Sequence, residues 1–206
     1  MNTYGGFYKA FDWIYRIAFL NVLWLLFSVV GLIIFGFFPA TVAMFSIVRR
    51  SILKENVPIF HTFWTVYKRE FIKSNLLGLI LSIIAYIFYV DLIFLKSTSG
   101  LIQLLYAPML VMSFIYILML LYVFPVYVQY DIKVLQVIKN SFLIMVLYPF
   151  FTIIMIIVGL ITTYFMFQIP SSLIFFSGSL MAFIIMGCAN LAFRKNEQKL
   201  EQNVEK

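Results

Sequence analysis

Charge, histidine and cysteine are all scarce in this chain of 206 residues. Only 11% of the residues are charged, there is one histidine and one cysteine, and 64% are hydrophobic. A soluble domain of this length could not bury so much apolar surface, so the composition excludes a water-soluble fold. The single cysteine, Cys188, excludes an internal disulfide and a cysteine-based metal cluster. Its small neighbours indicate a packing residue within an apolar segment.

Groups that could carry out acid-base or nucleophilic chemistry are also few. His61 lies on an amphipathic segment and has no second partner with which to hold a metal ion or build a catalytic relay. The chain contains no glycine-rich phosphate loop. We therefore expect a non-enzymatic protein with no cofactor and no metal.

Long apolar runs dominate what is present. A helix needs roughly 20 apolar residues to cross a bilayer. Five segments have about this length: 17–38, 76–95, 104–124, 142–167 and 172–193. The sequence therefore predicts an all-α membrane protein with five transmembrane helices. Residues 1–193 form one transmembrane domain, and residues 194–206 form a polar cytoplasmic tail.

The first apolar run leads into Pro39 and Thr41, after which a short helix ends on the basic pair Arg49 and Arg50. Residues 40–53 are too few to cross the bilayer again at about 1.5 Å per residue. We therefore expect them to lie in or just below the inner interface.

A second amphipathic segment covers residues 59–73. Phe63 and Trp64 recur there with other aromatic residues at helical spacing, and Lys73 lies among the polar residues of the opposite side. This pattern is typical of a helix in the headgroup layer, or of a helix that packs on the other spans through its aromatic face. Amphipathic interfacial helices are thus predicted between the first and second spans.

The distribution of basic residues predicts the topology. Three segments outside the spans hold twelve of the 15 lysines and arginines: 39–75, 125–141 and the C-terminal 194–206. The positive-inside rule places these in the cytoplasm, with the C-terminus inside and the N-terminus outside. An alternative keeps the N-terminus inside by making the first apolar run a re-entrant loop broken at Gly31 and Gly36. Charge does not separate the two, whereas the length of the run favours a full crossing.

A few residues within the spans are candidates for interaction. Asp91 is the only carboxylate in a predicted span; its position near Lys96 favours an interfacial cap, and the alternative is a polar contact to a substrate or a partner helix. The Asn21 amide favours a hydrogen bond to another helix. Gly178 and Ala182 have the small-xxx-small spacing of close helix packing, within the chain or in a homo-oligomer.

The formal net charge of +7 does not indicate a nucleic-acid-binding protein. The basic residues flank the apolar spans instead of gathering in an arm that could follow a phosphate backbone. They indicate orientation in the lipid bilayer and contacts with anionic lipid.

Four stretches resemble the YesL family of bacterial membrane proteins, a domain of unknown function: Leu20–Phe27 (LNVLWLLF), Gly36–Thr41 (GFFPAT), Phe60–Trp64 (FHTFW) and Lys73–Asn75 (KSN). Members of this family are typically encoded beside carbohydrate-uptake ABC transporters and polysaccharide-degrading enzymes, mainly in Gram-positive bacteria. The resemblance implies an accessory subunit of an oligosaccharide importer in the bacterial cell membrane, in contact with the permease subunits.

The residues leave two other functions open. A small transporter or channel could use Asp91 and Asn21 to line a path. A membrane-surface regulator of sugar utilisation could instead use the interfacial helices with Arg49, Arg50 and Lys73.

Overall fold

The computed structural model describes residues 3–204, and no strand occurs among them. Seven α-helices and one short 3-10 helix (Leu101–Leu105) follow one another in this part of the chain: α1 Thr3–Val30, α2 Ile34–Ile52, α3 Ile59–Ser97, α4 Tyr106–Gln129, α5 Val134–Leu147, α6 Pro149–Gln168 and α7 Pro170–Val204.

Five segments of the described chain are long and apolar enough to cross a membrane: Phe11–Val30, Ile59–Ser97, Ile102–Gln129, Pro149–Gln168 and Pro170–Gln198. The predicted all-α multi-pass membrane protein is therefore confirmed. The predicted fourth span is divided at Tyr148, where α5 ends and Pro149 begins α6. The predicted polar tail continues α7 as a helix to Val204.

The first apolar run is broken within the predicted span 17–38, which is therefore wrong as one continuous helix. The chain reverses at residues 31–33, because Gly31 and Gly36 approach so closely that a Cβ on either would overlap backbone atoms across the turn. Leu32 and Ile33 both have positive φ. Ile33, with φ 62° and ψ −61°, forms a γ-turn in which the Ile34 N–H bonds the Leu32 carbonyl at 2.7 Å.

The backbone N–H groups of this turn are satisfied without water. Those of Gly31, Leu32 and Ile33 donate to carbonyls in the last turn of α1 at 2.8–3.1 Å. Irregular backbone in an apolar layer requires such internal pairing. The chain can therefore reverse in an apolar stretch that contains no polar side chain.

α2 is the central helix and not a short interfacial one, so the prediction for residues 40–53 is wrong. It contacts α1, α3, α4 and α7. Ten of its 19 residues are buried: Gly36, Pro39, Ala40, Thr41, Val42, Ala43, Met44, Phe45, Ile47 and Val48. Its length of about 28 Å is close to the thickness of the hydrocarbon core. Small residues such as Ala40 and Ala43 permit this close packing.

Pro39 lies inside α2 and lacks the N–H that would bond the Phe35 carbonyl. The Asn75 side chain of α3 replaces that donor, with Nδ2 at 3.0 Å from the Phe35 carbonyl oxygen. The same amide nitrogen donates to the Phe71 carbonyl at 2.8 Å. Asn75 therefore secures the α2–α3 packing at the position where proline interrupts the helical bonds.

The predicted interfacial helix over residues 59–73 is not a separate element. It is the first part of α3, a helix of 39 residues that continues without a break through the predicted second span. At about 1.5 Å per residue α3 is about 58 Å long, nearly twice the thickness of a bilayer core. Separate interfacial helices between the first and second spans are therefore not confirmed.

The described ends of the chain lie at the same end of the bundle. Trp13 and Arg16 of α1 line a groove with Lys54, and Lys54 lines another groove with Arg194 of α7. We call this the basic end. The arrangement follows from the return of the chain through α2. It differs from the favoured prediction, which puts the two termini on opposite sides, and the chain breaks where the alternative placed the break, between Gly31 and Gly36.

Candidate interaction groove at the basic end

A groove of about 540 Å³ opens between α2, α3 and the end of α4; we call it the charged groove. Four ionisable side chains lie in its wall, two basic and two acidic, together with tyrosine and glutamine side chains. Its full lining is Val42, Ser46, Val66, Arg69, Glu70, Lys73, Tyr127, Val128, Gln129, Tyr130 and Asp131.

Glu70 is the fixed centre of the charged groove. The Tyr127 hydroxyl donates to one of its carboxylate oxygens at 2.8 Å, and Arg69 Nε donates to the other at 2.8 Å. The Glu70 side chain is only 15% exposed, whereas that of Arg69 is 68% exposed. The pair therefore presents a guanidinium to solvent above a carboxylate that α4 holds in place.

Two further contacts join the three helices. Lys73 Nζ lies 3.2 Å from an Asp131 carboxylate oxygen and 5.4 Å from the centre of the Tyr127 ring. Arg49 Nε donates to the Gln129 side-chain oxygen at 2.7 Å, which ties the end of α2 to the end of α4. The Asp131 side chain is fully exposed. The charged groove thus offers exposed charges of both signs on a fixed frame.

Tyr130, in the lining of the charged groove, stays neutral at physiological pH. Burial raises the pKa of its hydroxyl, and the Glu197 carboxylate and Tyr148 raise it further. Within residues 3–204, the charged groove included, the structure contains no cluster of three His, Cys, Asp or Glu side chains that could hold a metal ion. The arrangement is suited to binding charged groups through ion pairs.

The structure separates the predicted interfacial residues. Lys73 lines the charged groove, Arg49 borders it through its hydrogen bond to Gln129, and Arg50 is half-buried in the last turn of α2. Phe63 is fully buried in the core. Trp64 is partly exposed, stacks near Tyr67 and carries Lys68 Nζ 4.5 Å from its ring centre.

Asn21 and Gly178, both predicted as contact residues, meet between α1 and α7. Asn21 Nδ2 donates to the Ile174 carbonyl at 2.7 Å, and the N–H groups of Gly178 and Ser179 donate to Asn21 Oδ1 at 2.9 Å. A Cβ on Gly178 would lie 3.1 Å from Asn21 Oδ1. With Ala182 also buried, these small residues serve packing within the chain.

The remaining predicted residues lie elsewhere. Thr41 accepts a hydrogen bond from Trp24 Nε1 at 3.0 Å and donates to the Phe37 carbonyl at 2.7 Å. Asp91 is half-buried near the end of α3, and within residues 3–204 no side chain bonds or pairs with its carboxylate.

Sequence reasoning missed the groove residues Glu70, Tyr127 and Gln129. Glu70 and Tyr127 are 57 positions apart, and Arg49 and Gln129 are 80 positions apart. The sequence carries only a weak signal for these residues. Each lies close to the end of a predicted span, where polar residues are expected in any case because the span meets the membrane surface there.

Comparisons with known proteins place the chain in a family. A model described as "Protein of unknown function, DUF624" matches residues 17–92. The uncharacterized proteins YteU and YesL of Bacillus subtilis (strain 168) are each 36% identical over 198 residues, covering 96% and 92% of this chain and 89% and 90% of theirs. The uncharacterized protein YesV of the same organism is 32% identical, covering 95% of both chains. No solved structure matches. The resemblance to YesL is thus confirmed, and the chain belongs to the DUF624 family, whose function is unknown.

Proposed function

We propose that this chain is a non-enzymatic accessory subunit of a carbohydrate ABC importer and contacts the permease subunits through the charged groove. The observation that carries the proposal is the exposed pair of opposite charges, Arg69 and Asp131, on a frame fixed by Tyr127 and Glu70. A preorganised frame lowers the entropy lost on binding. The importer association rests on the resemblance to a family encoded beside such transporters.

The orientation that fits this proposal puts the basic end in the cytoplasm. The basic residues of segments 39–75 and 125–141 and of the described part of segment 194–206 then share one side with Lys9 and Arg16, and Lys96 lies on the other. The positive-inside rule favours such an asymmetry. In this orientation both ends of the chain face the cytoplasm of a bacterial cell, and the charged groove meets cytoplasmic segments of the permease.

Copurification with the permease tests the contact. Reversing both exposed charges (Arg69→Glu with Asp131→Arg) should reduce recovery of the permease at least tenfold. In the variant, each reversed side chain would face a permease group of the same charge. Lys139→Glu on α5, exposed and outside the lining of the charged groove, is the matched control and should recover the permease as the native chain does. Equal recovery with the double variant, or full sugar uptake in cells lacking this protein, would overturn the proposal.

Cysteine labelling tests the orientation. In a Cys188→Ser background, Phe11→Cys and Lys195→Cys should react with an impermeant thiol reagent only after the cells are opened. Ser99→Cys, in the turn after α3, should react in intact cells. All three positions are exposed. Reaction of Phe11→Cys in intact cells would contradict a cytoplasmic start of α1.

A further inference from the structure

A separate cleft of about 610 Å³ lies between the end of α2 and the helices α6 and α7; we call it the α6–α7 cleft. It shares no residue with the charged groove. Its walls are largely apolar, two cations stand at its rim, and no carboxylate lines it. The lining is Ile52, Lys54, Val158, Phe183, Ile184, Gly187, Cys188, Asn190, Leu191 and Arg194.

The two cations, Lys54 and Arg194, are both exposed. Lys54 follows the end of α2, whereas Arg194 lies within α7, so their joint placement is a property of the fold. Asn190 adds an amide at the same cleft. Two positive charges and a neutral amide, with no acid in the lining of the cleft, are complementary to a phosphate.

The backbone at Lys54 has a fixed conformation that closes the end of α2. Lys54 has φ 62°, a left-handed conformation that favours glycine and disfavours residues with a Cβ. Its N–H bonds the Ser51 carbonyl at 3.0 Å, and the Glu55 N–H bonds the Arg50 carbonyl at 2.9 Å, which closes the end of α2. A lysine at this position, which favours glycine, places a positively charged side chain beside the cleft.

Apolar surface continues from the rim along the helices. Leu191 is 53% exposed, and Val158 is also exposed. A Cβ added at Gly187 would meet nothing within 4 Å, so the floor of the cleft is open there. A soluble anion would leave these apolar walls uncovered, whereas a lipid would cover them with an acyl chain.

An adjoining groove of about 560 Å³ shares Ile52, Lys54 and Phe183 with the cleft. Trp13 packs there against Phe183, with ring centres 5.9 Å apart. Tryptophan beside basic residues is typical of the headgroup layer of a membrane. Arg16, also in this groove, is already paired with Asp12 at 2.8 Å. Glu55 lines this groove but not the cleft, so Lys54 and Arg194 are the charged side chains that line the cleft.

We propose that the α6–α7 cleft binds an anionic phospholipid with a single phosphodiester, such as phosphatidylglycerol. The phosphate lies between Lys54 and Arg194, and an acyl chain lies along the apolar walls past Gly187. Basic pockets between transmembrane helices at the cytoplasmic side are known to bind anionic headgroups.

Native mass spectrometry of the full chain in detergent, titrated with phosphatidylglycerol or phosphatidylcholine, tests the site. The anionic lipid should bind at least tenfold more tightly. Lys54→Gln with Arg194→Gln should weaken it about 30-fold, because each basic side chain near an anionic headgroup contributes roughly a factor of five. The matched control, Lys133→Gln with Lys139→Gln, removes two exposed cations outside the cleft and should leave binding unchanged.

A second variant separates lipid from a soluble anion. Gly187→Trp fills the cleft without touching the cations, so it should abolish binding of phosphatidylglycerol. Millimolar inorganic phosphate should not displace the lipid from the native chain. Displacement by phosphate, equal binding of the two lipids, or unchanged binding in the Lys54 and Arg194 variant would each overturn the proposal. These measurements need no permease, so their outcome is independent of the proposed importer contact.

Discussion

Replacing Asn21 with leucine should destabilise the bundle by about 2–4 kcal/mol. The side chain is fully buried and makes three hydrogen bonds to the backbone of α7, one to the Ile174 carbonyl and two from Gly178 and Ser179. Hydrogen bonds between helices in membranes contribute about 0.6 kcal/mol each on average and up to about 1.7 kcal/mol. Three bonds of average strength give about 2 kcal/mol, and the upper figure of about 4 kcal/mol lies below the roughly 5 kcal/mol that three bonds of maximum strength would give.

Aspartate at the same position should be worse than leucine. Asn21→Asp retains an oxygen acceptor for the two N–H groups, but it places a second oxygen where Nδ2 now lies 2.7 Å from the Ile174 carbonyl oxygen. It also buries a carboxylate, which is unfavourable without a cationic partner. The order of stability is therefore expected to be Asn, then Leu, then Asp.

Unfolding in mixed micelles with increasing dodecyl sulfate, followed by tryptophan fluorescence, measures these differences. Asn140→Leu is the matched control, because Asn140 is a half-buried amide for which residues 3–204 provide no side-chain hydrogen bond. It should change stability by less than about 0.5 kcal/mol, the usual size for sites without a specific contact. An Asn21→Leu protein as stable as this control, or an Asp variant as stable as the Leu variant, would refute the reasoning.

Three further variants probe contacts between other helices by the same unfolding measurement. Tyr127→Phe removes the hydrogen bond to the Glu70 carboxylate and should cost about 2 kcal/mol. Gly78→Ala should cost about 1–3 kcal/mol, since its Cβ would overlap the Phe38 ring in a packed contact. Tyr122→Phe removes the buried hydrogen bond from α4 to α6 and should cost about 1 kcal/mol.

Controls from the same chain accompany these variants. Gly187→Ala should be close to neutral, because its Cβ would meet nothing within 4 Å. Tyr164→Phe, at an exposed position on α6, should likewise leave stability unchanged. If Gly78→Ala were as harmless as Gly187→Ala, the close α2–α3 packing described above would be wrong.

Sequence reasoning succeeded where a residue type has one predominant structural role within a membrane span. An amide in an apolar span predicts a hydrogen bond to another helix, and Asn21 makes it to α7. Small residues four apart predict close packing, and Gly178 receives the Trp24 ring and the Asn21 oxygen. Long apolar runs predict spans, and the five candidate spans overlap those expected.

Sequence reasoning failed where the backbone conformation is irregular or where a polar side chain bonds a backbone group of another helix. The reversal at Leu32 and Ile33 uses positive φ in apolar residues. Gly31 and Gly36 marked its place only as an alternative, because the length of the apolar run favoured a full crossing. The predicted second span begins at residue 76, directly after Asn75, whereas α3 runs through this position and the Asn75 amide replaces the donor that Pro39 lacks. The charged groove joins segments far apart in sequence, and no local pattern reports such pairings.

The contact between Asn21 and α7 spans 153 to 158 positions of the chain. During synthesis, the ribosome must therefore add a further 153 to 158 residues after Asn21, about three quarters of the chain length, before all partners of the Asn21 amide exist. A product truncated before residue 170 would leave that amide, and the face of α2 that α7 covers, facing lipid or the insertion machinery. Membrane quality-control proteases could distinguish finished from unfinished copies by this exposed face.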